Sequence, residues 1–366
     1  MSKELNIIVS TGGTGGHIFP AIAVANEIKE NFADENIKAT ILFVGSLYGK
    51  EKTLCEKNNI PFYGLQVRGI KGRGIKAISA SFNMLKAIYE SYCFLGKNKT
   101  DAVIGFGGYA CFAMLLAAKL RGIPTMIHEQ NAVAGLANKI LAKFVQTICL
   151  TLKDTKNQFD PKKTVITGNP IRKEIAQIQK DPHTEKHLLI MGGSLGAVAL
   201  NSLVVTLLST LKENNISFTH QCGEKDYQRV YEAYKSHGYT HEEIEKILFP
   251  FIDNMAELYK KTDLALCRAG ATSIAELTAT KTPAIFIPFP YAANDHQTAN
   301  AQTLVDEKAA YMVQEKELKN FPMAKVILKL LNDDKELAEM AENMGKLAHK
   351  NAAQNVVNEL KKIIKY

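Results

Sequence analysis

Four times along this chain an apolar run ends in a glycine-rich turn and passes at once into residues with helical periodicity. Leu5–Val9 runs into Ser10-Thr11-Gly12-Gly13-Thr14-Gly15-Gly16-His17, and Ile104-Gly105-Phe106-Gly107-Gly108-Tyr109 closes a second strand. Met191-Gly192-Gly193-Ser194-Leu195-Gly196-Ala197 and Arg268-Ala269-Gly270-Ala271-Thr272-Ser273 do the same in the second half. A strand, tight turn and helix repeated in this way returns each strand parallel to the last, which requires a sheet covered by helices on both faces.

The remaining pattern agrees. Strands are predicted at Leu5–Val9, Thr40–Val44, Pro61–Val67, Ala102–Phe106, Thr125–His128, Val145–Leu150 and Thr164–Thr167, with helices between most of them. The rhythm restarts at His187–Met191, Phe218–Cys222, Lys246–Phe249, Leu264–Cys267 and Ala284–Pro288. Between the two series, the stretch from Gly168 to Lys186 loses its apolar period and carries Pro170 and Pro182. We therefore expect two doubly wound α/β domains, 1–170 and 171–349, with a cleft beside their connection. A chain of 366 residues is longer than one core usually serves. The charged tail from Asp333 to Tyr366 is helical in pattern and could pack on either domain.

Composition excludes several classes. The six cysteines form no C-x-x-C pair and no metal-ligand spacing, which fits a reducing compartment. The first residues lack the apolar core of a signal peptide. The longest uncharged run, from Ala102 up to Lys119, has three glycines in its first third and reads as strand, turn and helix, so no membrane span is expected. The net charge is +8, and Arg68–Lys99 sets seven cations against the single anion Glu90.

The turns carry the chemistry. Unpaired N–H groups and the dipole at a helix N-terminus favour phosphate or developing negative charge. One such turn is weak evidence, because glycine there can be purely steric. Four of them at strand C-termini point to two anion sites. The first turn lacks the G-x-G-x-x-G spacing and the Lys-Ser/Thr ending of a P-loop, which leaves a nucleotide-sugar as the candidate ligand.

His17, where the first turn becomes helix, could take a proton from an attacking hydroxyl; capping or substrate binding is the competing role. The polar run His128-Glu129-Gln130-Asn131 ends a strand and is expected to face the cleft, the alternative being a hydrogen-bonded brace. Glu276, one turn into the helix after Gly270, is placed to accept from ribose hydroxyls. Asn294-Asp295-His296-Gln297 offers amides to sugar hydroxyls, or simply caps a helix.

Taken in order, GGTGGHIFP (12–20), GFGGY (105–109), HEQN (128–131), GNPIR (168–172), GGSLGA (192–197), FIDNM (251–255), CRAGATSIAE (267–276) and PFP…NDHQTANA (288–301) span nearly the whole chain. Together they resemble the MurG family, the GT-B transferases of glycosyltransferase family 28 that add N-acetylglucosamine to a lipid-linked muramyl acceptor. Cys111 and Ala113 stand where that family often has serine and proline.

The resemblance implies a GT-B fold, two Rossmann-like doubly wound domains facing across a cleft. It implies an N-terminal acceptor and membrane-associating domain, rejoined by a C-terminal helix at about 350–366, and a C-terminal donor domain. It implies inverting transfer from UDP-N-acetylglucosamine to the C4 hydroxyl of lipid I, giving lipid II and UDP. His17 and then Glu129 would be the catalytic candidates. Thr14, Gly15, Gly16 and Asn131 would line the sugar and acceptor side. Arg172, Ser194, Ile252 (through its backbone), Ala271, Thr272, Ser273, Ile274, Ala275, Glu276 and Gln297 would hold the donor, and Tyr109 and Asn201 complete the substrate-binding set. No metal, cofactor or nucleic acid is expected, and no D-x-D pair is present.

The family is also similar in binding the cytoplasmic face of the inner membrane peripherally. Ile75, Ile78, Phe82 and Leu85 interleave here with Lys71, Arg73, Lys76 and Lys86, a pattern suited to anionic headgroups unless the apolar face packs inward. A cell-wall synthesis complex is a further partner implied by the resemblance.

Overall fold

The computed structural model describes residues 4–13, 15–67, 75–180, 185–193 and 195–364, with the backbone alone for 75–81. It divides into two compact units, Met1–Arg172 with Asn351–Tyr366, and Lys173–Lys350.

The first unit holds seven strands: β1 (Glu4–Ser10), β2 (Lys38–Ser46), β3 (Phe62–Leu65), β4 (Ala102–Gly105), β5 (Thr125–Glu129), β6 (Thr147–Leu150) and β7 (Thr164–Ile166). All pairs are parallel, in the order β3-β2-β1-β4-β5-β6-β7. Its helices are α1 (Gly15–Asp34), α2 (Glu51–Lys57), α3 (Ile75–Lys97), α4 (Tyr109–Leu120) and α5 (Leu136–Leu141). The apolar run of β1 is continuous because both faces are covered. Ile7 and Val9 pack in one core with Ile18, Val24 and Ile28 of α1, while Ile8 packs in the other with Met114 and Leu115 of α4.

The second unit comprises α6 (Lys173–Ala176), β8 (His187–Met191), α7 (Val198–Glu213), β9 (Ser217–Gln221), α8 (Tyr227–Ser236), α9 (His241–Ile247), β10 (Leu248–Phe249) and α10 (Met255–Lys261). It continues with β11 (Leu264–Cys267), α11 (Ala271–Ala279), β12 (Ala284–Phe286), α12 (His296–Asp306), β13 (Ala310–Met312), α13 (Met323–Asn332) and α14 (Asp334–Lys346). Its parallel sheet runs β10-β9-β8-β11-β12-β13.

In each sheet the strand order reverses beside the first strand of the unit, between β1 and β4 and between β8 and β11. Ser10 pairs with Gly105 and Met191 with Cys267, so the glycine turns lie side by side at the C-terminal sheet edge, where ligands of open α/β sheets bind.

Four local features differ from the sequence reading. Helix α1 starts at Gly15, so Pro20, which the apolar spacing of Ala21, Ile22, Val24, Ala25 and Ile28 marks as opening the helix, lies inside it and leaves the Gly16 carbonyl without an i+4 donor. The run read as a strand from Lys246 is helical up to Ile247, because Thr240 and Glu243 form a reciprocal capping box that starts α9. The three-residue β13 is an additional strand. The tail is not one helix: α14 belongs to the second unit, and α15 (Ala352–Ile363) belongs to the first.

Helix α15 packs on α1, with Val356, Val357 and Leu360 fully buried. Burying each such side chain contributes about 1.5–3 kcal/mol. Asn31 donates to Gln354 at 2.8 Å, Asn355 to the Thr167 carbonyl at 3.2 Å, and Lys361 pairs with Glu35.

Candidate functional site

In the first unit the glycine loop is fastened before it reaches the helix. The Thr11 N–H donates to the Val44 carbonyl (3.1 Å), Gly12 to the Gly107 carbonyl (3.0 Å) and Gly13 to Glu51 Oε1 (3.2 Å). The first turn of α1, which begins at Gly15, follows directly, and N–H groups of a first helical turn have no partner within their own helix. The second loop crosses close behind: Gly108 has φ +90, and a Cβ there would stand 2.1 Å from the Gly12 carbonyl oxygen, so only glycine fits. Helix α4 starts regularly at Tyr109 despite Cys111 and Ala113, both fully buried, and Tyr109 itself is exposed at the sheet edge.

His17 is half-buried and lies against this second loop, with Nε2 3.4 Å from where a Cβ on Gly107 would be. The structure thus brings His17 together with the GFGGY turn. Thr14 lies outside the described residues.

Of the two roles expected for the polar run at 128–131, facing the cleft or bracing the sheet edge, the hydrogen bonds of the described residues fit the brace. His128, Glu129 and Gln130 are buried, and only Asn131 is partly exposed. The cost of burying them is met by hydrogen bonds. Glu129 Oε1 accepts from the Asn131 N–H (3.0 Å) and Nδ2 (3.3 Å), while Oε2 accepts from the Gly135 N–H (3.2 Å) and Asn138 Nδ2 (2.8 Å). Both oxygens therefore brace the loop that presents Asn131. His128 stacks on Phe106 and its Nε2 contacts the Gly168 carbonyl at 2.9 Å; burial pushes its pKa down to about 4.

Asn138 and Asn169, not singled out from the sequence, are almost wholly buried. Asn138 Oδ1, Gln130 Oε1 and both polar atoms of the Asn169 amide have no hydrogen-bond partner among the described residues. Asn169 stands inside the GNPIR motif, and that membership was the available signal.

In the second unit the loop after β8 packs on the loop after β9. Gly196 has φ +75, and a Cβ there would meet the Cys222 carbonyl oxygen at 2.1 Å. Ser194 lies outside the described residues. The loop after β11 opens α11 through Gly270, whose carbonyl accepts the Ile274 N–H at 2.9 Å. The N–H groups of Ala271, Thr272 and Ser273 precede that first helical bond and face outward with the dipole. The Thr272 hydroxyl is buried there without a hydrogen-bond partner among the described residues. Ala271 and Ile274 are buried, so they offer a ligand backbone only, and Ala275 is half-buried.

Glu276 is half-buried, with Oε2 accepting the Tyr259 hydroxyl at 3.0 Å. Gln297 Oε1 accepts the Phe289 N–H at 3.0 Å, which fixes the orientation of the side-chain amide. Asn294 and Asp295 both take left-handed φ, 54° and 52°, in the turn that starts α12. Ile252 and Arg172 are half-buried. Arg268, read only as part of a motif, is an internal strut: it donates to the carbonyls of Ile287 and Pro288 at 3.0 Å and pairs with Glu315.

Asn201 is a correction. It is fully buried, with Nδ2 donating to the Cys222 carbonyl (2.9 Å) and Asp226 Oδ2 (2.7 Å) and Oδ1 paired with His220 Nε2 (3.1 Å). Every polar atom of its side chain is used inside the protein, so it supports the loop after β9 and does not read a ligand. His220, also 0% exposed and bonded to the Tyr234 hydroxyl at 3.0 Å, has its pKa pushed down to about 3 by burial.

On α3 the described side chains settle which way the apolar residues point. Phe82, Leu85 and Tyr89 are 69%, 67% and 69% exposed, one face of the helix, while Ala87, Ser91 and Leu95 are buried on the other. Arg68, Lys71 and Arg73, and the side chains of Ile75, Lys76 and Ile78, lie outside the described residues. Among the described residues, no helix is long and apolar enough to cross a membrane, and no three His, Cys, Asp or Glu side chains are grouped to hold a metal ion.

Residues 7–150 match the glycosyltransferase family 28 N-terminal domain and residues 187–356 the glycosyltransferase family 28 C-terminal domain. The chain is 48% identical over 364 residues to the UDP-N-acetylglucosamine–N-acetylmuramyl-(pentapeptide) pyrophosphoryl-undecaprenol N-acetylglucosamine transferase of Lawsonia intracellularis, covering 98% of this chain and 97% of that one. It is 43% identical to the protein of the same name from Nitratidesulfovibrio vulgaris strain Hildenborough, covering 98% of each. Among solved structures it is similar to Acinetobacter baumannii MurG, with a TM-score of 0.78, 33% identity and coverage of 98% and 99%. The family expected from the motifs and the two Rossmann-like units is thus borne out: the chain belongs to glycosyltransferase family 28, among the transferases named for adding N-acetylglucosamine to pyrophosphoryl-undecaprenol N-acetylmuramyl-pentapeptide.

Proposed function

We propose that this chain transfers N-acetylglucosamine from UDP-N-acetylglucosamine to the C4 hydroxyl of the muramyl sugar of lipid I, with inversion, giving lipid II and UDP in peptidoglycan synthesis. The observation that carries this reading is the repetition, in each unit, of a glycine turn and a helix N-terminus at the strand-order reversal. A reaction whose donor and acceptor each bear a diphosphate needs two such sites.

The donor belongs to the second unit in this reading. Its diphosphate takes the N–H groups of Ala271–Ser273 and the Thr272 hydroxyl, whose lack of a partner among the described residues suits that role. Glu276 takes the ribose, the backbone at Ile252 the uracil and the Gln297 NH2 the sugar, with Arg172 and Ser194 completing the set. The acceptor belongs to the first unit, at Thr14, Gly15, Gly16, Tyr109 and Asn131.

His17 removes the proton from the C4 hydroxyl as that oxygen attacks the anomeric carbon and the bond to the UDP oxygen breaks. A positioned base contributes about 10²–10⁴-fold to such a step. Negative charge growing on the leaving diphosphate is met by the α11 terminus, which is oriented before the reaction begins. Glu129 acts by holding Asn131 in place.

The reading includes peripheral binding at the cytoplasmic face of the inner membrane through Phe82, Leu85 and Tyr89 beside Lys86, and participation in a cell-wall synthesis complex. The test is radiolabelled UDP-N-acetylglucosamine with a lipid I analogue, with and without chelator. Label should enter the lipid, UDP should be released only with acceptor, and chelator should make no difference. Release of UDP without acceptor would overturn the assignment.

A further inference from the structure

Glu51, the first residue of α2, is a carboxylate with 0% exposure. Oε1 accepts the Gly13 N–H at 3.2 Å, and Oε2 is enclosed with no hydrogen-bond partner among the described residues. Glycines make room for it: a Cβ on Gly49 would stand 1.8 Å from Oε2, and one on Gly45 would stand 3.0 Å from Cγ. Burying a carboxylate behind a single backbone hydrogen bond is unfavourable, and the N-terminus of α2 offsets only part of that cost. Packing alone would be served better by leucine or methionine.

What the carboxylate holds is the hinge of the glycine loop. Gly13 has φ +111, a conformation open to glycine, and a Cβ on it would lie 4.0 Å from His17 Nδ1. With the Thr11 and Gly12 N–H groups already fixed on backbone carbonyls, the Gly13 N–H is the last anchor among the described residues before α1 begins.

We propose that Glu51 is a positioning residue for this loop: it fixes Gly13, and through it the first turn of α1 with Gly15, Gly16 and His17. The inference rests on the reading of that loop as the acceptor side. Glu51 does not touch substrate. It also occupies the Gly13 N–H, so an acceptor diphosphate is directed to the first turn of α1.

The test is steady-state kinetics of the full-length protein with labelled donor and a lipid I analogue, alongside thermal midpoints. Glu51→Ala should lower acceptor kcat/KM at least tenfold while donor KM stays within twofold. Glu51→Gln keeps an oxygen for the Gly13 N–H and should restore most of the loss. Gly49→Ala, which crowds Oε2, should mimic Glu51→Ala, and the double variant should be no worse than either. If Glu51→Ala does not fold, Gly49→Ala carries the test. His17→Ala separates the two readings: near-normal turnover there would sink the loop assignment itself. An impaired His17→Ala beside Glu51→Ala and Gly49→Ala variants of normal acceptor kcat/KM would overturn the positioning role alone. So would a Gln variant as poor as Ala, or an equal rise in donor KM.

Discussion

The buried hydroxyl of Tyr259, on α10, donates a 3.0 Å hydrogen bond to Glu276 Oε2 on α11, and so orients the carboxylate proposed to meet the ribose. Tyr259→Phe removes that bond with little change of shape and should weaken UDP binding by about two- to tenfold, on the usual worth of about 0.5–1.5 kcal/mol for such a bond. Glu276→Ala should lose about tenfold or more and abolish the preference for UDP over 2′-deoxy-UDP. Calorimetric titration of both nucleotides checks each outcome.

His17→Ala is expected to cut kcat by about 10²–10⁴-fold with UDP affinity retained. Initial rates at saturating lipid I analogue, paired with nucleotide titration, give both quantities. Near-normal turnover would remove both His17 and its loop from the acceptor site.

The Thr272 hydroxyl is buried and makes no hydrogen bond among the described residues, so Thr272→Val removes none of the bonds seen there. The melting temperature should be unchanged or slightly higher, whereas donor KM should rise about three- to tenfold if the hydroxyl meets the diphosphate. Equal donor KM in the two proteins would remove Thr272 from the site.

Two buried histidines tie stability to pH, one in each unit. Burial lowers the pKa of His128 to about 4 and of His220 to about 3, against about 6.5 in the unfolded chain. Below pH 6.5 the unfolded chain takes up protons that the folded protein refuses, so each unit loses stability as pH falls toward those values. The slope is about 1.4 kcal/mol per pH unit for each histidine. Thermal midpoints between pH 7.5 and 5 should fall steadily below 6.5 and stay flat above it, as far as these two groups decide the outcome.

Replacing Phe82, Leu85 and Tyr89 together by serine should leave turnover on a detergent-soluble acceptor within about twofold, because these side chains point to solvent. Co-sedimentation with anionic vesicles should drop about tenfold or more, since each removes apolar area from a headgroup-level contact. Unchanged sedimentation would place the membrane contact elsewhere.

The architecture was largely legible because it rests on patterns local in sequence. Buried parallel strands such as His187–Met191 and Leu264–Cys267 read as continuous apolar runs, and the glycine turns marked both reversals of strand order. Less legible were features decided by side-chain partners far along the chain. Asn201 looks like a ligand-reading amide until His220 and Asp226 are seen around it. Glu129 looks like a base until Asn138 and Gly135 take up its second oxygen. Glu51 gave no sign at all, since one glutamate after a lysine reads as surface. The helix starting at Thr240 was readable from its Thr and Glu spacing.

The packing of α15 on α1 also dictates an order of events during synthesis. Residues 173–350 have emerged and can condense while the first unit still lacks Val356, Val357 and Leu360 from its core. The half translated first is therefore the half completed last. Removing the final turns of the chain would unravel the first unit and leave the second, to which they are covalently attached, standing.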